Sequence, residues 1–167
     1  MQEEKIEDQS ENLKVRNIGV ISDTHGLLRP EAVEALHGTD LIIHAGDVGA
    51  KDILEHLGEI APVIAVRGNV DQTIWARELP MTEVVEAGEK CLYILHDLSQ
   101  LDLDPIDAEV HCVISGHTHD PLIEEKNGVL YLNPGSAGPR RFSLPVTLAR
   151  IEVTEHGLES EIIRLAV

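Results

Sequence analysis

The chain has 167 residues, enough for one domain with a sizeable hydrophobic core. It is 43% hydrophobic but only 2% aromatic, so burial rests on Val, Ile, Leu and Ala, a set that favours strands packed under helices. The formal net charge of −17 repels phosphate backbones and argues against non-specific nucleic-acid binding; it does not exclude a small phosphorylated substrate, because a bound metal reverses the local sign.

Residues 1–12, MQEEKIEDQSEN, are charged and without periodicity. They are expected to be a disordered acidic tail, with the domain spanning 13–167. They lack the apolar core of a secretory signal, and no apolar run approaches the roughly 20 residues that span a bilayer. A cytoplasmic location without membrane contact is expected.

VRNIGVIS over 15–22 is predicted to be a strand. Pro30 suits the first position of a helix running to 37. LIIHA over 41–45 is a short continuous apolar run, as in a strand buried on both faces. Helical spacing through Ile53, Leu54 and Leu57 predicts a helix over 52–60, and PVIAV over 62–66 is another strand. This alternation argues for parallel strands. The second half changes character. Strands are predicted over 83–87 and 90–95, joined at Gly88, and over 110–115. Asn127-Gly128 is a hairpin turn signal between strands over 122–126 and 129–132. Gly157 separates strands over 146–153 and 158–165. So many strands predict two sheets with helices outside. Cys91 and Cys112 lie inside apolar runs and read as small buried hydrophobes rather than a disulfide framework.

Polar clusters follow these apolar runs. Asp23-Thr24-His25 follows the first, Gly46-Asp47 the second and Gly68-Asn69 the third; His96-Asp97 and Gly116-His117-Thr118-His119 come later. All fall just past the C-terminal end of a predicted strand, the edge where α/β sheets bind ligands. In extended backbone, residues i and i+2 project to one side, so Asp23 with His25, and His117 with His119, are expected to share a cleft. Glycines 46, 68 and 116 would allow tight turns and close approach. Asp23, Asp47, Asn69, His25, His96, His117 and His119 mix carboxylate, amide oxygen and imidazole, which suits divalent Mn, Fe, Zn, Co or Ni. They are too many for one metal and suit two, roughly 3.5–4 Å apart, sharing a carboxylate.

SDTHG, HAGDV, RGNVD, the strand end at His96, GHTH and LYLNPGS resemble the motif series of the calcineurin-like metallophosphoesterases, and of their small YfcE-like branch in particular. The resemblance covers residues 15–164. It implies an α/β fold, a four-layer α-β-β-α sandwich with two mixed β-sheets. It also implies roles: Asp23, His25 and His119 hold one metal, Asn69, His96 and His117 the second, and Asp47 bridges. Manganese is the expected metal. Asp47, Asn69 and His117 are the residues expected to serve catalysis, by in-line attack of a hydroxide held between the metals.

Many family members place a histidine straight after the Gly-Asn pair, where it helps protonate the leaving group. Here that position is Val70, so good leaving groups are expected to be preferred. Asp97 stands where a glycine usually follows the histidine. His37, His44, His56, His111 and His156 read as structural; His44, three before Asp47, reads as a hydrogen-bonded core histidine. Asp71, Asp97 and Asp120 read as solvated loop aspartates, with orientation of an imidazole as the alternative. Ser136 closes the NPGS run, and Arg140 and Arg141 follow it. Together with Asn69, Ser136 and Arg140 are the expected substrate contacts, an arginine there being suited to a phosphate. Arg141 reads as a surface arginine, and Arg67 as a minor candidate. The chain thus reads as a metal-dependent phosphodiesterase acting on a small phosphorylated substrate, with homo-oligomerisation open. The alternative is a protein-binding scaffold like the metallophosphoesterase-like retromer subunit.

Overall fold

The computed structural model describes residues 15–167, so the expected tail over 1–12 lies outside the described residues. Strand β1 is Asn17–Ile21, α1 Pro30–Leu36, β2 Leu41–His44, α2 Lys51–Gly58 and β3 Val63–Ala65. Then come β4 Thr82–Ala87, β5 Lys90–Leu95, β6 Cys112–Ile114, β7 Leu122–Lys126, β8 Val129–Asn133, β9 Thr147–Thr154 and β10 Gly157–Arg164.

The strands form two five-stranded sheets, ordered β10-β9-β1-β2-β3 and β4-β5-β6-β8-β7. Both are mixed. In the first, β1, β2 and β3 are parallel, while β9 runs antiparallel to β1 and β10 to β9. In the second, β5, β6 and β8 are parallel, flanked by antiparallel β4 and β7.

Period-2 alternation divides the apolar residues between two layers. Ile18, Val20, Leu41 and Ile43 from the first sheet meet Leu92, Ile94, Cys112 and Ile114 from the second in the core between the sheets. Ile21, Ile42 and Leu148 face outward and pack under Ala32 and Leu36 of α1 and Ile53 and Leu57 of α2. Pro30 opens α1, consistent with its fixed φ and missing N–H. Gly19 lets α1 close on β1, since a Cβ there would collide with Leu36. The layer over the second sheet is thin. Tyr93, Leu95, Val113 and Val129 are covered by Leu101, Leu103 and Val110 from the segment that follows a 3-10 turn at Leu98–Gln100.

Cys112 is buried and Cys91 half-buried, and neither forms a disulfide. Burial pushes the Cys112 thiol up to about 12, so it packs as an apolar group. Among the described residues no helix is long and apolar enough to cross a membrane.

Candidate metal centre

Parallel pairing places the C-terminal ends of β1, β2 and β3 on one edge, and the ends of β5 and β6 on the corresponding edge of the other sheet. The edges are joined by hydrogen bonds: His117 N–H donates to Asp23 Oδ2 at 3.0 Å, and His96 Nδ1–H to Ala45 O at 2.7 Å. Beyond β1 and β2 the loops continue side by side, with Asp23 N–H on Gly46 O and His25 N–H on Asp47 O, both at 3.0 Å.

The candidate ligands do face one cleft, but not through extended backbone. Asp23 (φ 55°), His25 (φ 46°), Asp47 (φ 55°), His117 (φ 72°) and His119 (φ 64°) all adopt left-handed conformations. Asp, Asn and His tolerate this region better than most residues, yet each instance costs on the order of 1 kcal/mol or more. The inter-loop hydrogen bonds hold them there. Glycine makes the convergence possible: Gly46 has φ +99°, and a Cβ on it would sit 2.6 Å from His96 Nδ1.

Two donor sets result, Asp23 with His25 and His119, and Asp47 with His96 and His117; within each, the ligand atoms lie within 4.8 Å of one another. In the first, His25 Nε2 and His119 Nε2 are 3.3 Å apart, and Asp23 Oδ1 is 3.3 Å from His119 Nε2 and 3.7 Å from His25 Nε2. In the second, His96 Nε2 is 3.2 Å from Asp47 Oδ2 and 3.3 Å from His117 Nδ1. Asn69 Oδ1 joins this second set, 3.0 Å from His96 Nε2 and 3.1 Å from His117 Nδ1. Donors about 2.1 Å from one ion stand about 3.0–3.4 Å apart at octahedral to tetrahedral angles, and most of these spacings fall in or near that range. Asp23 Oδ1 is buried without a hydrogen-bond partner: it approaches His119 closely but out of line for a hydrogen bond. An orphaned buried carboxylate oxygen among imidazole nitrogens fits a cation.

Other contacts fix the orientation of these donors. His96 Nδ1–H donates to Ala45 O at 2.7 Å, which turns Nε2 into the cleft. Ser22 Oγ–H donates to Asp23 Oδ2 at 2.7 Å, leaving Oδ1 for the cluster. Val70 N–H donates to Asp47 Oδ1 at 3.0 Å, leaving Oδ2. Burial opposes ionisation of Asp23, but the imidazoles of His119 and His25, the Ser22 hydroxyl and the charge of His96 outweigh it and hold the carboxyl well below the usual range. Burial likewise opposes ionisation of Asp47, and His96 and the Val70 amide reverse it. His25 is raised chiefly by Asp23, against burial, with the charges of Asp47 and Asp23 adding and Arg141 opposing. His96 is raised despite its burial, chiefly by Asp47. Both carboxylates are therefore charged near neutral pH.

His44 is a hydrogen-bonded core residue. Gly46 N–H donates to its Nδ1 at 3.2 Å, so Nε2 carries the proton to Thr24 Oγ1 at 3.0 Å, and Thr24 donates on to Val48 O at 2.8 Å. Asp97 accepts from Ser99 N–H at 3.0 Å and lies 3.8 Å from His117 Nε2. Asp120 is exposed. Asp71 is not a solvated loop residue. It is 2% exposed and accepts backbone N–H groups from Gly68 at 2.9 Å and from Val48 and Gly49 at 3.1 Å. It binds the Asp47 loop to the Asn69 loop. The one hint in the sequence is its place at the end of a Gly-x-x-Asp turn.

The expected substrate contacts are less concentrated. Asn69 is at the centre and exposed. Ser136 is buried and donates to Asp23 O at 3.0 Å. Arg140 Nη2 donates to Val167 O at 2.9 Å, whereas the charge of Arg141 reaches His25. Arg67 Nε donates to Met81 Sδ at 3.2 Å.

The family model for the calcineurin-like phosphoesterase superfamily domain matches residues 17–156. The "probable metallophosphoesterase" of Methanocaldococcus jannaschii is 38% identical, over 87% of this chain and 80% of its own length. A solved archaeal phosphodiesterase is 25% identical with a TM-score of 0.73, covering 88% of this chain and 99% of the other. Vacuolar protein sorting 29 of Cryptosporidium parvum shares the fold at 20% identity, with a TM-score of 0.72 over 92% of this chain and 99% of the other.

Proposed function

The chain belongs to the calcineurin-like phosphoesterase superfamily, and from that premise we propose that it is a dinuclear metal-dependent phosphodiesterase preferring good leaving groups. The pair of donor sets that meet at Asp47 carries this reading: Asp47 Oδ2 is 3.2 Å from His96 Nε2 in one set and 3.8 Å from His25 Nε2 in the other. Asp23, His25 and His119 would hold one divalent ion, Asn69, His96 and His117 the other, and Asp47 both, with manganese the expected metal. When bound, such a pair supplies a water-derived nucleophile at neutral pH and neutralises charge developing on the phosphoryl oxygens.

The protein's own groups do the rest. Asn69 turns Oδ1 toward the imidazoles and leaves its Nδ2 amide for a phosphoryl oxygen. His117 is part-exposed, so it can meet a substrate. Asp23 and Asp47 stay ionised and hold the neighbouring imidazoles in place. Val70, 48% exposed beside Asn69, offers no proton to a departing oxygen, so that oxygen must carry its own charge. The scaffold alternative has less support, since every donor position named above is filled by a ligating residue type.

The test is a panel of phosphomonoesters and phosphodiesters on metal-reconstituted protein, with Asp47→Asn beside wild type. Wild type should favour aryl phosphodiesters, and Asp47→Asn should lose several orders of magnitude in activity and bind less metal. Two bound metals and normal turnover in Asp47→Asn would overturn the bridging role.

A further inference from the structure

Residues 134–138 are fastened to the loop that carries Asp23. Ala137 N–H donates to Ser22 O at 3.1 Å and Ser136 Oγ–H to Asp23 O at 3.0 Å. Arg29 donates to Gly138 O through Nε and Nη2, both at 3.3 Å. A Cβ on Gly138 would collide with the carbonyls of Asp23 and Thr24. Ser136 also bridges to Val146. The chain therefore leaves and returns at one point beside the first donor set, and the excursion between is PRRFSLP over 139–145.

Phe142 sits within that excursion. It is the only phenylalanine in the protein. It is 89% exposed and adopts a left-handed φ of 53°. Both features are unfavourable for a bulky apolar residue, and they occur together in an excursion whose ends are fastened next to Asp23. A Leu144 N–H to Arg141 O bond of 3.1 Å closes a turn around it. The adjacent Arg140 is engaged with Val167. Arg141 has no carboxylate partner, since Lys126–Glu124 is the one lysine or arginine ion pair among the described residues.

We propose that residues 139–143 form a specificity arm, in which Phe142 stacks on a flat aromatic group of the ester and Arg141 pairs with its phosphate. The substrate class is then a phosphodiester whose non-departing alcohol bears an aromatic ring system, as a nucleoside does. This rests on the phosphodiesterase reading. An exposed aromatic face next to a cation suits such a ligand, because every base has a π-face and the guanidinium matches phosphate geometry.

Two esters with the same departing group separate the arm from the chemistry: thymidine 5′-p-nitrophenyl phosphate and methyl p-nitrophenyl phosphate. On the full chain reconstituted with manganese, kcat/KM should be about 10-fold higher for the thymidine ester. Phe142→Ala should bring that ratio to about one through KM, and so should Phe142→Leu, which keeps apolar bulk without a flat face. Calorimetric titration needs no turnover: thymidine 5′-monophosphate should bind more tightly than methyl phosphate to wild type, and equally to Phe142→Ala. If neither ester turns over but the titration difference stands and vanishes in Phe142→Ala, the arm holds and the phosphodiesterase reading falls. The arm is wrong if wild type shows no preference in either assay, or if the preference survives Phe142→Ala. It is also wrong if sedimentation shows that Phe142→Ala changes only the oligomeric state.

Discussion

His25 Nε2 and His119 Nε2 stand 3.3 Å apart, next to the orphaned Asp23 Oδ1. A buried carboxylate oxygen without a hydrogen-bond partner, next to two ring nitrogens, is a place where a cation would be held. Metal should therefore stabilise the fold. At a hundredfold excess over Kd, one site contributes about 2.7 kcal/mol, or about 5–10 °C for a domain of this size. Melting curves with manganese and with chelator should differ by that amount. His119→Ala should lose most of the difference. Identical curves for chelated and loaded wild type would count against a metal site.

Asp71 accepts from Val48, Gly49 and Gly68. Asp71→Ala would leave three amides without their acceptor, and a lost bond to a charged group costs about 1.5–3 kcal/mol. The variant should be destabilised by about 3 kcal/mol or more in denaturant titration. Its metal affinity should fall too, because Asp47 precedes Val48 and Asn69 follows Gly68. A variant of wild-type stability would show that water replaces the carboxylate without loss.

His44 provides a pH test. Burial lowers it from its ordinary value of 6.5 to about 4, so the folded state resists a proton that the unfolded chain accepts. The unfolded state binds more protons between those values. Stability is thus full above pH 6.5 and is lost as pH falls toward 4. The loss is about 3 kcal/mol in total. For chelated protein, the slope of unfolding free energy against pH over that window should be shallower in His44→Gln than in wild type. Equal slopes would mean that His44 is not buried neutral.

Val70 is exposed beside Asn69, and on the proposed reading the leaving group departs past it. General-acid help is typically worth about 10²–10⁴-fold, and valine supplies none. A plot of log kcat/KM against leaving-group pKa should be steep for wild type and shallower for Val70→His. A flat wild-type line, insensitive to solvent viscosity, would point to a donor elsewhere.

The convergence of these residues could be read from the sequence because each follows an apolar run, and parallel strands carry such positions to one edge. Their local conformation could not. Asp23 and His25 meet through left-handed backbone, which depends on the neighbouring Asp47 loop rather than on their own spacing. Asp71 was hidden because its amide partners come from two loops that adjoin only after folding. Arg140 and Arg141 are neighbours in sequence, yet one turns to Val167 and the other lies within electrostatic reach of His25. No pattern in the chain distinguishes them. The thin cover over the second sheet was equally hard to foresee, since the segment over 98–110 has no helical periodicity.

The donor cluster draws on both sheets, and His25 and His119 are 94 positions apart in the chain. Such a cluster cannot assemble before the two layers have docked, because each sheet alone holds only part of it. In kinetic terms it belongs to the late side of the folding barrier. A cation held there acts as a rivet across the sandwich: it should leave the rate of collapse unchanged and slow the parting of the layers, lengthening the protein's lifetime rather than hastening its formation.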